Sequence, residues 1–255
     1  MISIKRLSDL DINNNWRFEF KYRLNYLQYQ KLKIAVLPFM KMDYYTRIAP
    51  KKKYLVRSLY YDTYDYSLYH EKMGGDSDRV KFRLRTYSQS VADDTLIRAE
   101  LKVRKADIME KYSLFISQTE YNYFLQKHHW QNNDDPVLSE FERYYHLKAL
   151  NPQILVDYYR EGYENRNKDG LRITFDHKVR SAHADALFSN KHLFFKEHHP
   201  LGIVLEVKSR NKQPDWLRSL VRDHGLKLVA NSKFTQGIQV ARQDLFFPNG
   251  VVVVR

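Results

Sequence analysis

The chain has 255 residues, 43 Lys plus Arg against 30 Asp plus Glu, a formal charge of +13, and no cysteine. Lack of cysteine excludes disulfides and thiolate–zinc centres, and a hydrophobic content of 43% excludes a disordered polyelectrolyte. The cationic excess points to a polyanionic partner (nucleic acid, an anionic membrane or phosphates), with plain surface charge as the bland alternative.

The N-terminal stretch MISIKRLSDLDINNNW holds no long apolar region, so a cleaved leader is not expected. No run approaches the roughly 18 apolar residues of a membrane span; GVVVV at Gly250–Val254 is far too short. A soluble, cytoplasmic protein is expected. There is no repeat period, low-complexity tract or long Gly/Ser/Pro linker, so residues 1–255 are expected to form one domain.

In chain order, the two-residue period predicts strands over Trp16–Tyr22, Tyr54–Tyr61, Arg79–Tyr87, Leu96–Arg104, Lys111–Ile116, Ile154–Arg160, Leu171–Asp176 and Gly202–Arg210. Helical spacing predicts helices over Asn25–Val36, Ser117–Lys127, Pro136–Leu150 and Asp215–His224. Ser117 or Gln118 before an acidic first turn is a helix start, Pro214 opens the last of these helices, and Gly225 stands past its end. Strands come in runs without strict βαβ alternation, which favours α+β with a mostly antiparallel sheet.

Five strands share an unusual face. In RVKFRLRTY, Lys81, Arg83 and Arg85 oppose Val80, Phe82 and Leu84. Arg17, Glu19 and Lys21 share one face of WRFEFKY. The same holds for Arg98, Glu100, Lys102 and Arg104 in RAELKVRK, for Arg172, Thr174 and Asp176 in LRITFD, and for Glu206, Lys208 and Arg210 in VLEVKSR. Arg160 ends ILVDYYR. An ordinary amphipathic sheet explains one such strand. A solvated face usually mixes in Ser, Thr, Asn and Gln, and here Arg and Lys with a single acid recur. The opposite faces are apolar, and there are amphipathic helices to cover them. A sheet covered outside and charged inside suggests a closed barrel with a polar lumen. Such a lumen needs an anion, because buried like charges are costly. Strict strand alternation beside acids fits a triphosphate or polyphosphate better than duplex DNA, whose readers expose their cations. The carboxylates Glu19, Glu100, Glu206 and Asp176 could hold Mg²⁺ or Mn²⁺ or pair internally with the cations.

The motifs resemble the polyphosphate polymerase domain of the vacuolar transporter chaperone (VTC) family, within the triphosphate tunnel (CYTH) superfamily. RFEFKY resembles the opening E-x-K-Y strand, and YLVRSLYYDT with LYHEK the S-L-Y-F-D-T block. RVKFRLRTY resembles R-x-R-x-Y, AELKVRK the E-x-K strand, and EKYSLFI the strand that follows. VDYYREGYE resembles Y-x-R, LRITFDHKV the R-x-T-x-D strand, VLEVKSR the late E-x-K strand, and NSKFTQG the closing S-K-F/Y element. The resemblance implies an eight-stranded antiparallel tunnel that holds ATP phosphates and a growing polyphosphate chain, with Mn²⁺ or Mg²⁺ as cofactor. It implies phosphate binding by Lys21, Arg83, Arg85, Lys102, Lys111, Arg160, Arg172, Lys208 and Lys233, with Arg83, Arg85, Lys102 and Arg160 as the catalytic set. Lys81 joins the binding set on alternation alone. Glu206 is the implied metal ligand, with Glu19 and Glu100 behind it. Arg17 stands where the wider superfamily has the first acid of E-x-E-x-K, a departure that favours polymerase over hydrolase. Gln236 stands where some polymerases carry a second Lys. No specific nucleic acid and no membrane span are expected, which leaves room for a membrane partner that takes up product. A tripolyphosphatase or nucleoside triphosphatase, and a non-catalytic sensor, are the alternatives.

Other features attract blander readings. The pairs His128–His129 and His198–His199 point apart on any regular element, against a shared metal. Asp176–Lys178 reads as charge at a strand end, KMGGDSD as a turn, and Lys51–Lys53 as solvated loop charge. Tyr60, Tyr61 and Tyr158 read mainly as core residues with a polar tip.

Overall fold

A computed structural model of the chain describes residues 18–91, 95–105, 108–132, 134–167 and 169–245, with Lys105 and 108–110 by backbone alone. Arg17, Trp16 and the Gly250–Val254 run lie outside these residues.

The strands that matter most are β1 (Phe18–Leu24), β3 (Tyr54–Asp62), β4 (Arg79–Thr86), β5 (Ile97–Lys105), β6 (Ile108–Ile116), β7 (Asn151–Asn165), β8 (Arg172–His183) and β10 (Ile203–Ser209). They form one antiparallel path, β1-β10-β8-β7-β3-β4-β5-β6, to which short β2 (Met40–Met42) and β9 (Lys196–Glu197) attach on β7 and β8. The fold is α+β, as the strand runs imply. The expected closed eight-stranded barrel is not what forms: among the described residues no backbone pairing joins β1 to β6, so the sheet is open. It is nevertheless strongly curved. Lys102 on β5 lies 3.9 Å from Glu19 on β1, although five strands separate them along the path. The outer edge of β1 is taken by a short segment instead. Tyr22 bridges to Leu228, and Val229 donates its N–H to the Lys21 carbonyl.

Alternation sorts the faces. One apolar cluster lies behind β3, β4, β5 and β7, where Leu59, Phe82, Leu84, Leu101 and Leu155 are fully buried. It is capped by α4 (Gln118–Lys127) through Phe124 and by α5 (Pro136–Leu147) through Phe141. A second cluster lies behind β1, β8 and β10, where Leu24, Ile173, Phe175 and Val207 meet Tyr29 and Leu32 of α1 (Tyr26–Val36) and Leu217 of α6 (Asp215–Asp223). The helices begin where local chemistry starts them. Asn25 and Gln28 form a reciprocal capping box, and the Ser117 side chain accepts from the Glu120 N–H. Pro214 precedes α6, and Gly225 beyond it has the left-handed φ of 59°.

Among the described residues three helices have no counterpart among the predicted elements: α2 (Tyr44–Ile48), α3 (Ser67–Gly74) and α7 (Lys233–Ala241). The expected turn at KMGGDSD is correct only from Gly75 onward, since Lys72 to Gly74 finish α3. Of these helices, α2 is a single turn.

Candidate functional site

Antiparallel pairing sets side chains directly opposite one another on the same face. On the concave face of β4 and β5 the register places Arg79 opposite Arg104, Lys81 opposite Lys102, Arg83 opposite Glu100, and Arg85 opposite Arg98. Lys102 in turn faces Lys111 on β6. Three of those four rows set cation against cation, and Glu100 is the one acid among these eight positions. Like charges directly opposed destabilise a sheet. Their proton affinities register this. Burial, Lys102, Lys72, Lys21 and Arg79 hold the Lys81 ammonium down to about 7. Burial, against the pull of Glu100, brings Lys111 down to about 8, with Arg83 and Arg85 adding to the depression. Lys102 is also lowered, by burial first and then by Lys21, Lys208 and Arg83, which outweigh Glu19.

The facing half of the surface is better balanced. Glu19 opposes Lys208, which opposes Arg172; Lys21 opposes Glu206, which opposes Thr174. Arg160 opposes Asp176 and grips it with two hydrogen bonds of 2.6 and 2.8 Å. Glu206 pairs with Lys208 at 2.7 Å and with Arg160 at 3.5 Å. Burial pushes its carboxyl up, but Lys208, Arg160, Lys233 and Lys21 prevail and hold it well below the usual range. Asp176 behaves alike: burial opposes ionisation, while Arg160 and Lys233 keep it at about 2. The expectation of strand-end charge at Asp176 is therefore wrong. β8 continues to His183, and Asp176 is a fully buried acid of the concave face.

The segment that crosses from β1 to α7 closes over this surface. The Lys21 ammonium donates to the Asn231 carbonyl, Lys81 to the Ser232 hydroxyl, and Lys233 to Asp176, at 3.1, 3.1 and 2.6 Å. Ser232 also caps α7. Gly237 lets α7 lie against the sheet: a Cβ there would come within 2.8 Å of Ile154 and 2.9 Å of Ser181.

The ten cations expected to bind phosphate thus meet on one face, while Arg17 lies outside the described residues. Arg83 is gripped by Glu100 and donates to the Tyr60 hydroxyl, and Arg85 donates to Ser58 and Tyr158. Tyr60 and Tyr158 therefore turn polar tips into the site. Burial raises the Tyr60 phenol, but Arg83 and Arg85 lower it overall. Arg172 stands at the rim, held by Asp43 at 2.8 Å with Tyr54 at 3.4 Å. Gln236 does not reach the cations. Its amide lies between the rings of His198 and His199, at 3.3 Å from each.

The three carboxylates proposed for metal do not converge. Glu100 is enclosed by Arg83, Lys111 and Arg85, and Glu19 pairs with Lys21 and Lys102. Among the described residues no group of three or more His, Asp or Glu could hold a metal ion. Glu206 stands beside an uncommitted oxygen ligand, because the Thr174 hydroxyl opposite it is buried without a hydrogen-bond partner. That fits a hard cation held by one carboxylate and completed by phosphate oxygens, and not a cage of protein carboxylates.

Alternation did not reveal Asn231. It is 5% exposed, and neither its amide nitrogen nor its amide oxygen has a partner. It sits on an irregular segment, where no periodic signal marks the residues that face inward.

Solved structures were compared with this fold. A Bacillus halodurans protein described as an adenylate cyclase candidate aligns with a TM-score of 0.53 at 12% identity, over 84% of this chain and 92% of that one. A Pyrococcus horikoshii OT3 protein aligns at 0.46 with 14% identity, over 88% and 99%. A mimivirus capping-enzyme triphosphatase aligns at 0.32 with 11% identity, over 84% and 91%. The first of these supports a shared fold. No curated protein sequence matches the chain. The model of the VTC domain matches residues 16–242, which takes in every strand and cation described above, and the chain belongs to the VTC domain family.

Proposed function

We propose that this chain transfers the γ-phosphoryl group of ATP to the end of an inorganic polyphosphate chain. One observation carries the reading: the concave rows of β4, β5 and β6 oppose cation to cation with Glu100 as their shared acid. A folded protein retains so repulsive an arrangement where a polyanion completes it. An oxygen of the terminal phosphate attacks the γ-phosphorus, the bond from that phosphorus to the β,γ-bridging oxygen breaks, and ADP leaves with the electron pair. The nucleophile is already anionic, so no general base is needed. The barrier lies in bringing two anions together, which positioned cations lower.

Arg83, Arg85, Lys102 and Arg160 clamp the transferring group in this reading. Lys21, Lys81, Lys111, Arg172, Lys208 and Lys233 hold the flanking phosphates. Glu206, with Thr174 opposite, would hold Mn²⁺ or Mg²⁺, whose chemistry is to neutralise charge on the triphosphate oxygens. Glu19 and Glu100 instead set the positions of Lys102, Lys21, Arg83 and Lys111.

The test is incubation of purified protein with ATP and Mn²⁺, followed by gel separation of the phosphate products. A ladder of chains with release of ADP is expected, falling by about 10²–10³ in Glu206→Gln, a typical cost for losing one preorganised charge-stabilising group. Free phosphate without a ladder would assign the tripolyphosphatase reaction. Binding of ATP and polyphosphate without turnover would make the surface a sensor.

A further inference from the structure

At the Arg172 rim the charged surface runs directly into an aromatic one. Tyr54 on β3 faces Arg160 across the register, and its hydroxyl lies 3.4 Å from Arg172. Its ring meets Tyr45 at 5.8 Å and Tyr87 at 6.0 Å between centroids. Tyr45 and Tyr87 are nearly parallel, 10° apart at 6.0 Å, and Tyr44 adds an edge contact to Tyr45. Tyr44, Tyr45 and Tyr87 are 59%, 53% and 39% exposed. Large aromatic rings this open are wasted as core, and they begin where the phosphate-binding cations end.

The platform is also fixed in place. Tyr44 and Tyr45 lie on α2, whose N-cap Asp43 accepts from the Thr46 N–H at 2.8 Å and from Arg172 at 2.8 Å. The Asp43 N–H binds the Gly162 carbonyl, and the Thr46 hydroxyl accepts from the Gly162 N–H. Gly162 is two residues from Arg160. So one carboxylate, Asp43, ties the tyrosines to a cation of the site.

We propose that this tyrosine platform binds the base of the nucleoside triphosphate, by stacking on Tyr45 and Tyr87, while the triphosphate lies along the cations. The assignment rests on the phosphate-binding reading above and adds the base subsite to it. Stacking on an aromatic face is tolerant of base identity, since every base has a π-face. Purines, with the larger ring system, are favoured over pyrimidines.

The experiment titrates ATP and tripolyphosphate separately into wild type, Tyr45→Ala/Tyr87→Ala and Tyr45→Phe/Tyr87→Phe. Both ligands carry a triphosphate, tripolyphosphate with one more ionisable oxygen, and only ATP carries a base, so each variant is compared with wild type ligand by ligand. Wild type is expected to bind ATP several-fold more tightly than CTP at the same salt, the graded preference that stacking gives to the larger ring system. The alanine pair is expected to lose about 10-fold or more in ATP affinity, keep its tripolyphosphate affinity within 2-fold, and be rescued by phenylalanine. Equal losses for both ligands, no loss for either, or no preference of wild type for ATP over CTP would overturn the base subsite and leave the phosphate site standing. Failure of wild type to bind tripolyphosphate or ATP at all would remove both readings. Melting curves of the variants identify any loss that reflects misfolding. In that case the ATP-to-CTP ratio of the phenylalanine pair decides: a ratio kept at the wild-type value supports the subsite, and a ratio of one overturns it.

Discussion

At the scale of single residues, Asn231 makes the sharpest case. A buried amide with no partner on either atom costs about 1–3 kcal/mol for each unsatisfied group. The fold carries that cost beside Lys21, Lys81 and Lys233. Asn231→Leu is therefore expected to hold or raise the melting temperature while weakening tripolyphosphate binding by about tenfold, one hydrogen bond to a charged ligand. A melting temperature that falls with affinity unchanged would make Asn231 a structural loop residue. The same scale shows where alternation misleads. Asp176 and Lys178 differ by two positions, yet Asp176 is fully buried against Arg160 and Lys233 while Lys178 is exposed with a left-handed φ of 51°. The local sequence holds nothing that separates them. The irregularity where β7 and β8 slip register, between Asp157 and Tyr159, is a property of the pair of strands.

At the scale of elements, alternation was a sound guide wherever both neighbours of a strand are long. β4, β5 and β8 as far as Asp176 place the expected cations inward and the expected apolar residues in the two clusters that the helices cover. The register between strands could not be read from one strand at a time, and register is what sets Lys81, Lys102 and Lys111 in a row. Of the missed helices, α2 is a single turn and α3 begins at a left-handed Tyr66 with no side-chain cap, whereas α7 is capped by Ser232 and falls in a segment that the motifs mark only as the closing S-K-F/Y element. α2 holds its place through backbone contact with β7, and Gly162 makes that contact feasible. A Cβ at Gly162 would stand 2.0 Å from the Asp43 Oδ2 and 2.7 Å from its Cγ. Gly162→Ala is expected to cost about 1–3 kcal/mol, the usual penalty for overpacking, and to release Asp43 from Arg172. Thermal unfolding measures the first effect. Unchanged stability would mean that α2 is only loosely held against β7.

At the scale of the whole molecule, the curved sheet has two unlike halves: β1, β10 and β8 carry cations interleaved with acids, and β4, β5 and β6 carry cations in excess. The sequence motifs revealed the charge of both halves. They could not reveal that the sheet stays open, because closure depends on whether β1 and β6 meet, and the Leu228–Val229 segment takes the β1 edge. No helix among the described residues is long and apolar enough to cross a membrane. The crowded lysines give the molecule a further property. With its ammonium held down to about 7 by burial and by Lys102, Lys72, Lys21 and Arg79, Lys81 is partly uncharged in neutral solution. A polyanion that settles against it restores the ordinary preference for the charged form, so ligand capture draws a proton from the buffer. The sign for Lys81 follows: its contribution to affinity is fully present below about pH 7, where it already carries its proton, and declines as the pH rises through and above that value, where the proton must be supplied. Titration of tripolyphosphate at pH 8 in two buffers of different ionisation heat should give unequal apparent enthalpies, with the difference reduced in Lys81→Gln. Identical heats would mean that the lysines are fully charged before the ligand arrives. In the proposed reading, this surface couples phosphate capture to local acidity, with a firmer hold expected near neutral pH than in more alkaline solution.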